Sequence, residues 1–193
     1  MNPWFAKTVI ILGSIVMVAI RAPHGQRSRE INVVKNRKGP LEIFLLTVAW
    51  LGFFLPLLWV ATPVIAFADY PLHLVPLIAG ALCFALGLWL FYRSHADIGT
   101  NWSITLQVRE KHQLITQGIY QHVRHPMYLA LLLYSSGQAL VLPNWVAGPS
   151  YLVAFGLLFA LRVGPEERMM LEEFGKDYEE YMARTKRLVP GVW

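Results

Sequence analysis

Residues 43–67, IFLLTVAWLGFFLPLLWVATPVIAF, contain no charged side chain. An α-helix of about 20 apolar residues is long enough to cross the roughly 30 Å hydrocarbon core of a bilayer. Pro56 and Pro63 predict that this helix is kinked or ends near Pro63. Four further apolar stretches lie before and after it, at residues 4–20, 72–92, 128–142 and 145–163. The sequence therefore predicts an all-α integral membrane protein with about five transmembrane helices.

The composition agrees with a membrane protein. Of 193 residues, 55% are hydrophobic and 15% charged, whereas soluble domains average about 45–50% and 25%. The net charge of +5 comes from basic residues that flank the apolar stretches, so a membrane surface accounts for it and nucleic-acid binding is not predicted. We expect one membrane domain over residues 1–193.

The placement of lysine and arginine predicts the orientation, because cytoplasmic loops carry an excess of both. Residues 21–38 hold six, residues 93–124 hold four, and residues 162–193 hold six, while Lys7 stands alone near the start. Five helices then place the N-terminus outside. The basic connections, the active site and the C-terminus fall on the cytoplasmic side.

Two features of the C-terminal half suggest how its helices are arranged. Pro143-Asn144 is a turn signal and predicts that the last two transmembrane helices form a tight hairpin. Beyond residue 166, apolar side chains recur at helical spacing among acidic ones. This pattern predicts an amphipathic C-terminal helix, with Gly175 as its weak point.

The densest polar cluster is residues 107–128, QVREKHQLITQGIYQHVRHPMY. Pro126 suits the first turn of a helix, which places Arg124 and His125 at a helix N-terminus that favours an anionic group. Gly118 permits a turn that brings Tyr120 toward the same place. The alternative interpretation is that Arg124 and His125 only anchor the helix at the headgroups.

A metal site is not predicted in this cluster. His122 and His125 are three residues apart, but no Cys, Asp or third His stands at a supporting spacing. No G-x-G-x-x-G sequence occurs in the chain either, which argues against a soluble Rossmann-type enzyme.

A second polar cluster lies at the cytoplasmic end of the last transmembrane helix. Arg162 and Glu166 are four residues apart, so they share a face if the helix continues past Pro165. The simpler interpretation is an ion pair that closes the helix end. Because the helical hairpin holds both clusters on one side of the membrane, we expect His125 and Tyr128 near Arg162 and Glu166, in a pocket of mixed charge.

The chain resembles the isoprenylcysteine carboxyl methyltransferase family and, more loosely, the membrane phospholipid methyltransferases. The matching stretches keep their order and spacing over about the last 90 residues, and the first two helices match only as hydrophobic segments. These stretches are His112-Gln113-Leu114-Ile115, Gly118-Ile119-Tyr120, Arg124-His125-Pro126-Met127-Tyr128, Arg162, Glu166-Glu167 and the tail FGKDYEEYMARTKRLVP.

The resemblance implies an S-adenosylmethionine-dependent carboxyl O-methyltransferase that acts on a prenylated cysteine or a similar lipid-attached carboxylate entering from the membrane. It implies that Arg162 faces the acceptor carboxylate, with Glu167 as the second catalytic candidate. The cofactor would be held within about residues 94–193. The implied cofactor-binding residues are Gln107, His112, Gln113, Leu114, Ile115, Tyr120, His125, Pro126, Met127, Tyr128 and Glu166.

Two other enzyme classes stay open. A phospholipid or amine N-methyltransferase must deprotonate an ammonium, for which Glu167 is a candidate base, although Arg162 opposes the binding of a cation. Membrane sterol reductases that use NADPH are similar in architecture and share an R-H-P-x-Y element. They typically carry an acidic residue two positions after the tyrosine, where this chain has Ala130.

Overall fold

The computed structural model describes residues 2–29, 33–36, 39–99, 107–109 and 113–191. The helices are α1 (Trp4–Arg29), α2 (Pro40–Ala61), α3 (Leu74–Ile98), α4 (Pro126–Val141), α5 (Ala147–Phe174) and α6 (Lys176–Arg184), with 3-10 turns at Ala66–Ala68 and Gly118–Gln121. Two short antiparallel strands, β1 (Val33–Asn36) and β2 (Gln107–Arg109), pair outside the membrane helices. The predicted helical membrane architecture is confirmed, and the strand pair is an addition that the sequence analysis did not predict.

Four of the described helices have the length and hydropathy of a membrane span. They are α1 over Trp4–Gln26, α2, α3 and α5. Helix α4 corresponds to the remaining predicted span, but its 16 residues extend about 24 Å at 1.5 Å per residue. It is therefore shorter than the roughly 30 Å of the hydrocarbon core.

The helix ends differ from the predicted boundaries in a consistent way. Helices α1, α3 and α5 continue at their C-terminal ends to Arg29, Ile98 and Phe174, well beyond the apolar stretches. Hydropathy marks where a helix leaves lipid, whereas the backbone stays helical as long as hydrogen bonding and packing permit. Helix α5 includes Pro165, so Arg162 and Glu166 do share one helical face.

Helix α2 ends as the prolines suggest. Its last residue is Ala61, and Thr62 is already extended, with φ −141° and ψ 156°. A residue before proline is disfavoured in the α region because of a clash with the proline ring. The end predicted near Pro63 is therefore confirmed, and the predicted boundary at residue 67 was six residues too long.

Small residues let the helices pack closely. A Cβ on Gly137 would stand 2.8 Å from the carbonyl oxygen of Gly80 at the crossing of α3 and α4, and a Cβ on Gly52 of α2 would stand 2.9 Å from the Ser150 carbonyl oxygen of α5. Small side chains at crossing points are a general feature of membrane helix packing, because apolar burial alone does not drive association in lipid.

The predicted hairpin between α4 and α5 is present, and Asn144 locks its turn. The buried Asn144 side chain donates to the Ile65 carbonyl and to the Asp69 carboxylate, both at 2.7 Å, and accepts from the Val146 and Ala147 backbone N–H groups. Since the turn is fixed, the N-terminal end of α4 lies beside the C-terminal half of α5 at the opposite side of the bundle.

Candidate active site

A cavity of about 250 Å³ opens at the end of the bundle where α1, α3 and α5 finish and α2 and α4 begin. This is slightly below the roughly 300–1,000 Å³ typical of small-molecule pockets. The predicted site residues that line it are Gln113, Leu114, Ile115, Tyr120, His125, Pro126, Met127, Tyr128, Arg162 and Glu166. The two polar clusters, far apart in sequence, therefore form one site.

Three predicted site residues are not among the described residues that line the cavity. Gln107 lies in β2, and only its backbone is described. His112 lies outside the described residues. Glu167 is buried beside the cavity without lining it.

The segment before α4 is folded back into the cavity by Gly118. Its φ of +61° is in the left-handed region that glycine adopts at little cost. The next backbone N–H, of Ile119, donates to the Asp97 carboxylate at 2.7 Å. The turn buries Tyr120, whose hydroxyl donates to the Ser94 carbonyl. Burial raises the pKa of Tyr120 well above its ordinary value, so this hydroxyl stays protonated.

Replacing Gly118 with alanine is expected to destabilise this wall of the cavity. A Cβ there would overlap the Asp97 carboxylate, with the carboxyl carbon only 2.6 Å away, and a left-handed conformation costs a non-glycine residue about 1–2 kcal/mol. We expect a lower melting temperature and weaker cofactor binding for Gly118→Ala in detergent. The half-buried Gly156 of α5, whose added Cβ meets nothing within 4 Å, is the matched control. An unchanged melting temperature would contradict the structural role of the turn.

The N-terminus of α4 faces the cavity as predicted. Pro126 occupies the first helical position and His125 the N-cap, and no side chain caps this end. The first backbone N–H groups of a helix have no acceptors within the helix and lie at the positive end of its dipole. This end is therefore suited to an anionic ligand group such as a carboxylate.

Glu166 links the two polar clusters. The Tyr128 hydroxyl donates to Glu166 Oε2 at 2.5 Å, and His125 Nδ1 lies 3.9 Å from Glu166 Oε1. Arg162 Nε lies 3.7 Å from Oε2. The predicted proximity of these four residues is confirmed. The Glu166 side chain keeps 27% of its surface exposed, so its carboxylate is accessible to a cationic group in the cavity.

Arg162 lines the cavity, and not all of its N–H donors are engaged in hydrogen bonds within the described residues. Its side chain is only 11% exposed, and its Nη2 lies 3.6 Å from Glu42 Oε1 of α2. Neither carboxylate is within hydrogen-bond distance of the buried Arg162 Nε, which has no hydrogen-bond partner in the described part of the chain. A buried guanidinium that is charge-balanced but incompletely hydrogen-bonded is suited to a planar anion such as a carboxylate.

Glu167 forms the centre of a buried ion-pair network, which we call the tail clamp. Its two carboxylate oxygens accept from Arg124 at 2.9 and 3.1 Å and from Arg187 at 2.7 and 3.0 Å, and His125 Nε2 lies 3.3 Å away. The Arg124 and His125 backbone N–H groups also donate to Lys186 and Arg187 carbonyls. The C-terminal segment is thus fastened to the loop that carries His125.

The amphipathic C-terminal helix exists and is part of this assembly. The helix is interrupted at Gly175, whose φ is +52°, and α6 follows it. This is the position at which the sequence predicted a weak point. Tyr178 and Tyr181 of α6 are buried, and the Tyr181 hydroxyl donates to the Tyr120 carbonyl at 2.6 Å. Burial raises the pKa of Tyr181 to about 12. The apolar face of α6 therefore lies on the protein and supports the segment that carries Tyr120.

Sequence reasoning missed two charged residues at the site, Arg21 of α1 and Glu42 of α2. Arg21 lines the cavity, with its guanidinium carbon 5.7 Å from the centre of the Trp50 ring. Glu42 is buried behind Arg162. Their position at the edges of apolar stretches could have indicated a role in the site. An ionisable residue at membrane depth is energetically costly and commonly functional.

The remaining wall of the cavity is apolar and leads toward the membrane. It is formed by side chains of α1, α2 and α5, namely Met17, Val18, Leu46, Ala49, Trp50, Phe53, Phe155 and Leu158. The cavity therefore joins a charged end to a lipid-like side. Among the described residues, no group of three or more His, Cys, Asp or Glu side chains is arranged to hold a metal ion.

Comparison with known proteins adds a family match. Residues 75–177 match the family described as phospholipid methyltransferase. This range includes most of the cavity-lining residues and leaves out α1, α2 and their residues Arg21 and Glu42.

Curated relatives are similar over part of their length. Protein-S-isoprenylcysteine O-methyltransferase B of Arabidopsis thaliana is 36% identical over 89 residues, which cover 46% of this chain and 45% of that protein. The Schizosaccharomyces pombe protein-S-isoprenylcysteine O-methyltransferase is 32% identical over 113 residues, covering 58% and 47%. The matches thus span about half the length of these relatives.

A solved structure is similar in fold. The eukaryotic intramembrane Ras methyltransferase, an isoprenylcysteine carboxyl methyltransferase, superposes with a TM-score of 0.54 at 26% sequence identity. The superposition covers 82% of this chain and 55% of that one. The similarity in fold therefore extends beyond the residues that match in sequence.

Proposed function

The chain belongs to the phospholipid methyltransferase family, and from that premise we propose that it transfers a methyl group from S-adenosylmethionine to a carboxylate. The acceptor we propose is the carboxylate of an S-prenylated cysteine or of a similar lipid-attached group. The relatives named as protein-S-isoprenylcysteine O-methyltransferases support this choice. The observation that carries it is Arg162, a mostly buried guanidinium that lines the cavity and whose Nε has no hydrogen-bond partner among the described residues.

The residues present fit S-adenosylmethionine, which carries a carboxylate, an ammonium and a sulfonium. The uncapped N-terminus of α4 suits the carboxylate, and the accessible oxygen atoms of Glu166 suit the ammonium. Tyr120 and Tyr128 offer aromatic faces to a sulfonium. Gln113, Leu114 and Ile115 close the same end of the cavity, while the proposed contacts of Gln107 and His112 stay predictions.

The charge of the site favours a carboxylate acceptor over an amine. Among the described residues at the cavity, Arg21, Arg162, Glu42 and Glu166 together carry no formal charge, and Arg124 is paired to Glu167. S-adenosylmethionine adds one net positive charge, which an ionised carboxylate balances. A protonated amine would instead leave two positive charges uncompensated in a site of low dielectric, which is unfavourable.

The reaction needs positioning more than acid–base chemistry. Bound S-adenosylmethionine would supply an electrophilic methyl group on a sulfonium. An ionised carboxylate oxygen could accept this methyl group without first losing a proton, while the S–CH3 bond breaks and the sulfur leaves as a neutral thioether. Arg162 would fix both oxygen atoms of the acceptor, and the apolar wall would exclude water from the reacting carboxylate. Positioning of this kind accounts for up to about 7–11 kcal/mol of barrier lowering in well-oriented systems.

For Glu167 we propose a positioning role through the tail clamp. Both of its carboxylate oxygen atoms are engaged by arginines, and it does not line the cavity. A base for an amine acceptor would have to reach the amine, so this arrangement favours the carboxyl methyltransferase over the amine alternative. The reductase alternative lacks its usual acidic residue, since position 130 is alanine.

We also propose that the site faces the cytoplasm. The ends of α1, α3 and α5 and the start of α2 and α4, where the cavity opens, hold nearly all the lysines and arginines of the chain. This distribution favours the cytoplasmic side for that end. A prenylated acceptor would then enter from the inner leaflet along the apolar wall.

Methyl transfer from radiolabelled S-adenosylmethionine to N-acetyl-S-farnesylcysteine tests the proposal, with full-length protein purified in detergent. We expect base-labile methyl ester with the wild type and its loss in Arg162→Ala. Phosphatidylethanolamine serves as the amine acceptor in a parallel reaction. Label in phosphatidylethanolamine but not in ester would overturn the carboxylate acceptor, and failure to bind S-adenosylmethionine would overturn the methyltransferase.

A further inference from the structure

Arg21 of α1 stands out among the cavity-lining residues. It is the residue at which the predicted apolar stretch 4–20 ends, yet α1 continues past it and carries its side chain to the cavity wall. An arginine at membrane depth is costly unless it has an electrostatic role. The Arg21 side chain shares the cavity wall with Arg162, the proposed ligand of the acceptor carboxylate.

Arg21 lines the cavity beside its apolar wall. Its guanidinium packs over the Trp50 ring of α2 at 5.7 Å and interacts electrostatically with Tyr151 and Arg162 of α5. Trp50 belongs to the apolar wall, and Tyr151 and Arg162 also line the cavity.

Arg21 and Arg162 both line this cavity, so their like charges repel each other, and an anion bound between them would relieve that repulsion. Glu42 balances Arg162 from behind at 3.6 Å, and Glu166 faces the α4 end of the cavity through Tyr128 and His125. An additional anion on the side of α1 and α2 would therefore be held by Arg21 and Arg162 together.

We propose that Arg21 is a second acceptor-binding residue, which binds the acceptor carboxylate jointly with Arg162 and selects for acceptors that carry this charge. The proposal rests on the proposed function, since it concerns how the same active site recognises the negative charge of the acceptor. It extends the acceptor half of the site from Arg162 of α5 to α1, which lies outside the residues that match the family.

Kinetics with a charged and an uncharged ligand of the same shape test this role. The KM for N-acetyl-S-farnesylcysteine is measured beside the inhibition constant of its carboxamide, which lacks the negative charge. For Arg21→Gln we expect the KM to rise about tenfold or more, as when one partner of a buried charge pair is removed. The inhibition constant of the carboxamide and the affinity for S-adenosylmethionine should stay within about twofold.

The control variants separate charge from packing. Arg21→Lys keeps the positive charge on a flexible side chain of similar length and should fall between wild type and Arg21→Gln. Lys7→Gln removes one cation from the far end of α1, where Lys7 donates to the Val60 carbonyl, and should leave both constants unchanged. A parallel rise for the acid and the carboxamide in Arg21→Gln would overturn the proposal, because it indicates lost packing instead of lost charge recognition.

The result for the wild-type protein distinguishes a failure of the Arg21 proposal from a failure of the proposed carboxyl methyltransferase function. If the wild type forms no ester with the farnesylated acid, the proposed acceptor class fails and the role of Arg21 fails with it. If the wild type forms ester and Arg21→Gln keeps a normal KM, only the role of Arg21 is overturned.

Discussion

Replacing Arg162 with lysine is expected to remove most of the carboxyl methylation, with kcat/KM lower by about a hundredfold or more. The change keeps the positive charge but loses the planar fork of donors. A guanidinium can bind both oxygen atoms of a carboxylate at once, whereas an ammonium acts as a point charge. Because a misplacement of about 1 Å can itself cost a hundredfold in rate, the lost geometry outweighs the retained charge.

The surroundings of Arg162 explain why lysine cannot compensate. Glu42 at 3.6 Å and Glu166 at 3.7 Å hold the guanidinium from two sides in wild type. A lysine ammonium carries all its donors on a single nitrogen atom. If it contacts one of these carboxylates, it moves away from the other carboxylate and from the acceptor. We therefore expect both a lower kcat and a higher acceptor KM, with little change in the affinity for S-adenosylmethionine.

The measurement is initial-rate kinetics with N-acetyl-S-farnesylcysteine, combined with calorimetric binding of S-adenosylmethionine. Arg168→Lys is the matched control, since Arg168 is exposed on the same helix and does not line the cavity. Near-normal turnover in Arg162→Lys would count against direct contact with the acceptor. An equal loss in Arg168→Lys would indicate a general effect on α5.

Glu167→Gln should destabilise the protein by about 3 kcal/mol or more, the range found when one partner of a buried ion pair is removed. The Glu167 and Arg124 side chains are only 7% and 9% exposed. The glutamine is nearly the same size but leaves the buried Arg124 without its counter-charge. It also releases Arg187, and with it the contact between the C-terminal segment and the loop that carries His125.

Thermal unfolding in detergent, followed by tryptophan fluorescence, measures this effect. We expect the melting temperature to fall by several degrees and S-adenosylmethionine to stabilise the variant less than wild type. Glu180→Gln, at an exposed position of α6, should behave as wild type. A variant with normal stability and normal cofactor affinity but no turnover would instead support Glu167 as a catalytic base.

The helical membrane fold was predictable because long uncharged stretches are compatible with few environments other than a bilayer. The hairpin was predictable from Pro143-Asn144, and the meeting of the two polar clusters followed from it. Helix ends were less predictable. Hydropathy does not distinguish a helix that stops at the membrane surface from one that continues beyond it, as α5 does to Phe174.

What the sequence alone determined, then, is the helical membrane fold, the hairpin of α4 and α5, and the concentration of His125, Tyr128, Arg162 and Glu166 at one end. Only the tertiary structure decided that Arg21 and Glu42 belong to the same site and that Glu167 is held in the tail clamp. These assignments depend on which faces of α1 and α2 turn inward and on where the C-terminal segment lies. In lipid both faces of a helix are apolar, so the pattern of polar and apolar residues carries little information about rotation, and close packing at small residues fixes it instead.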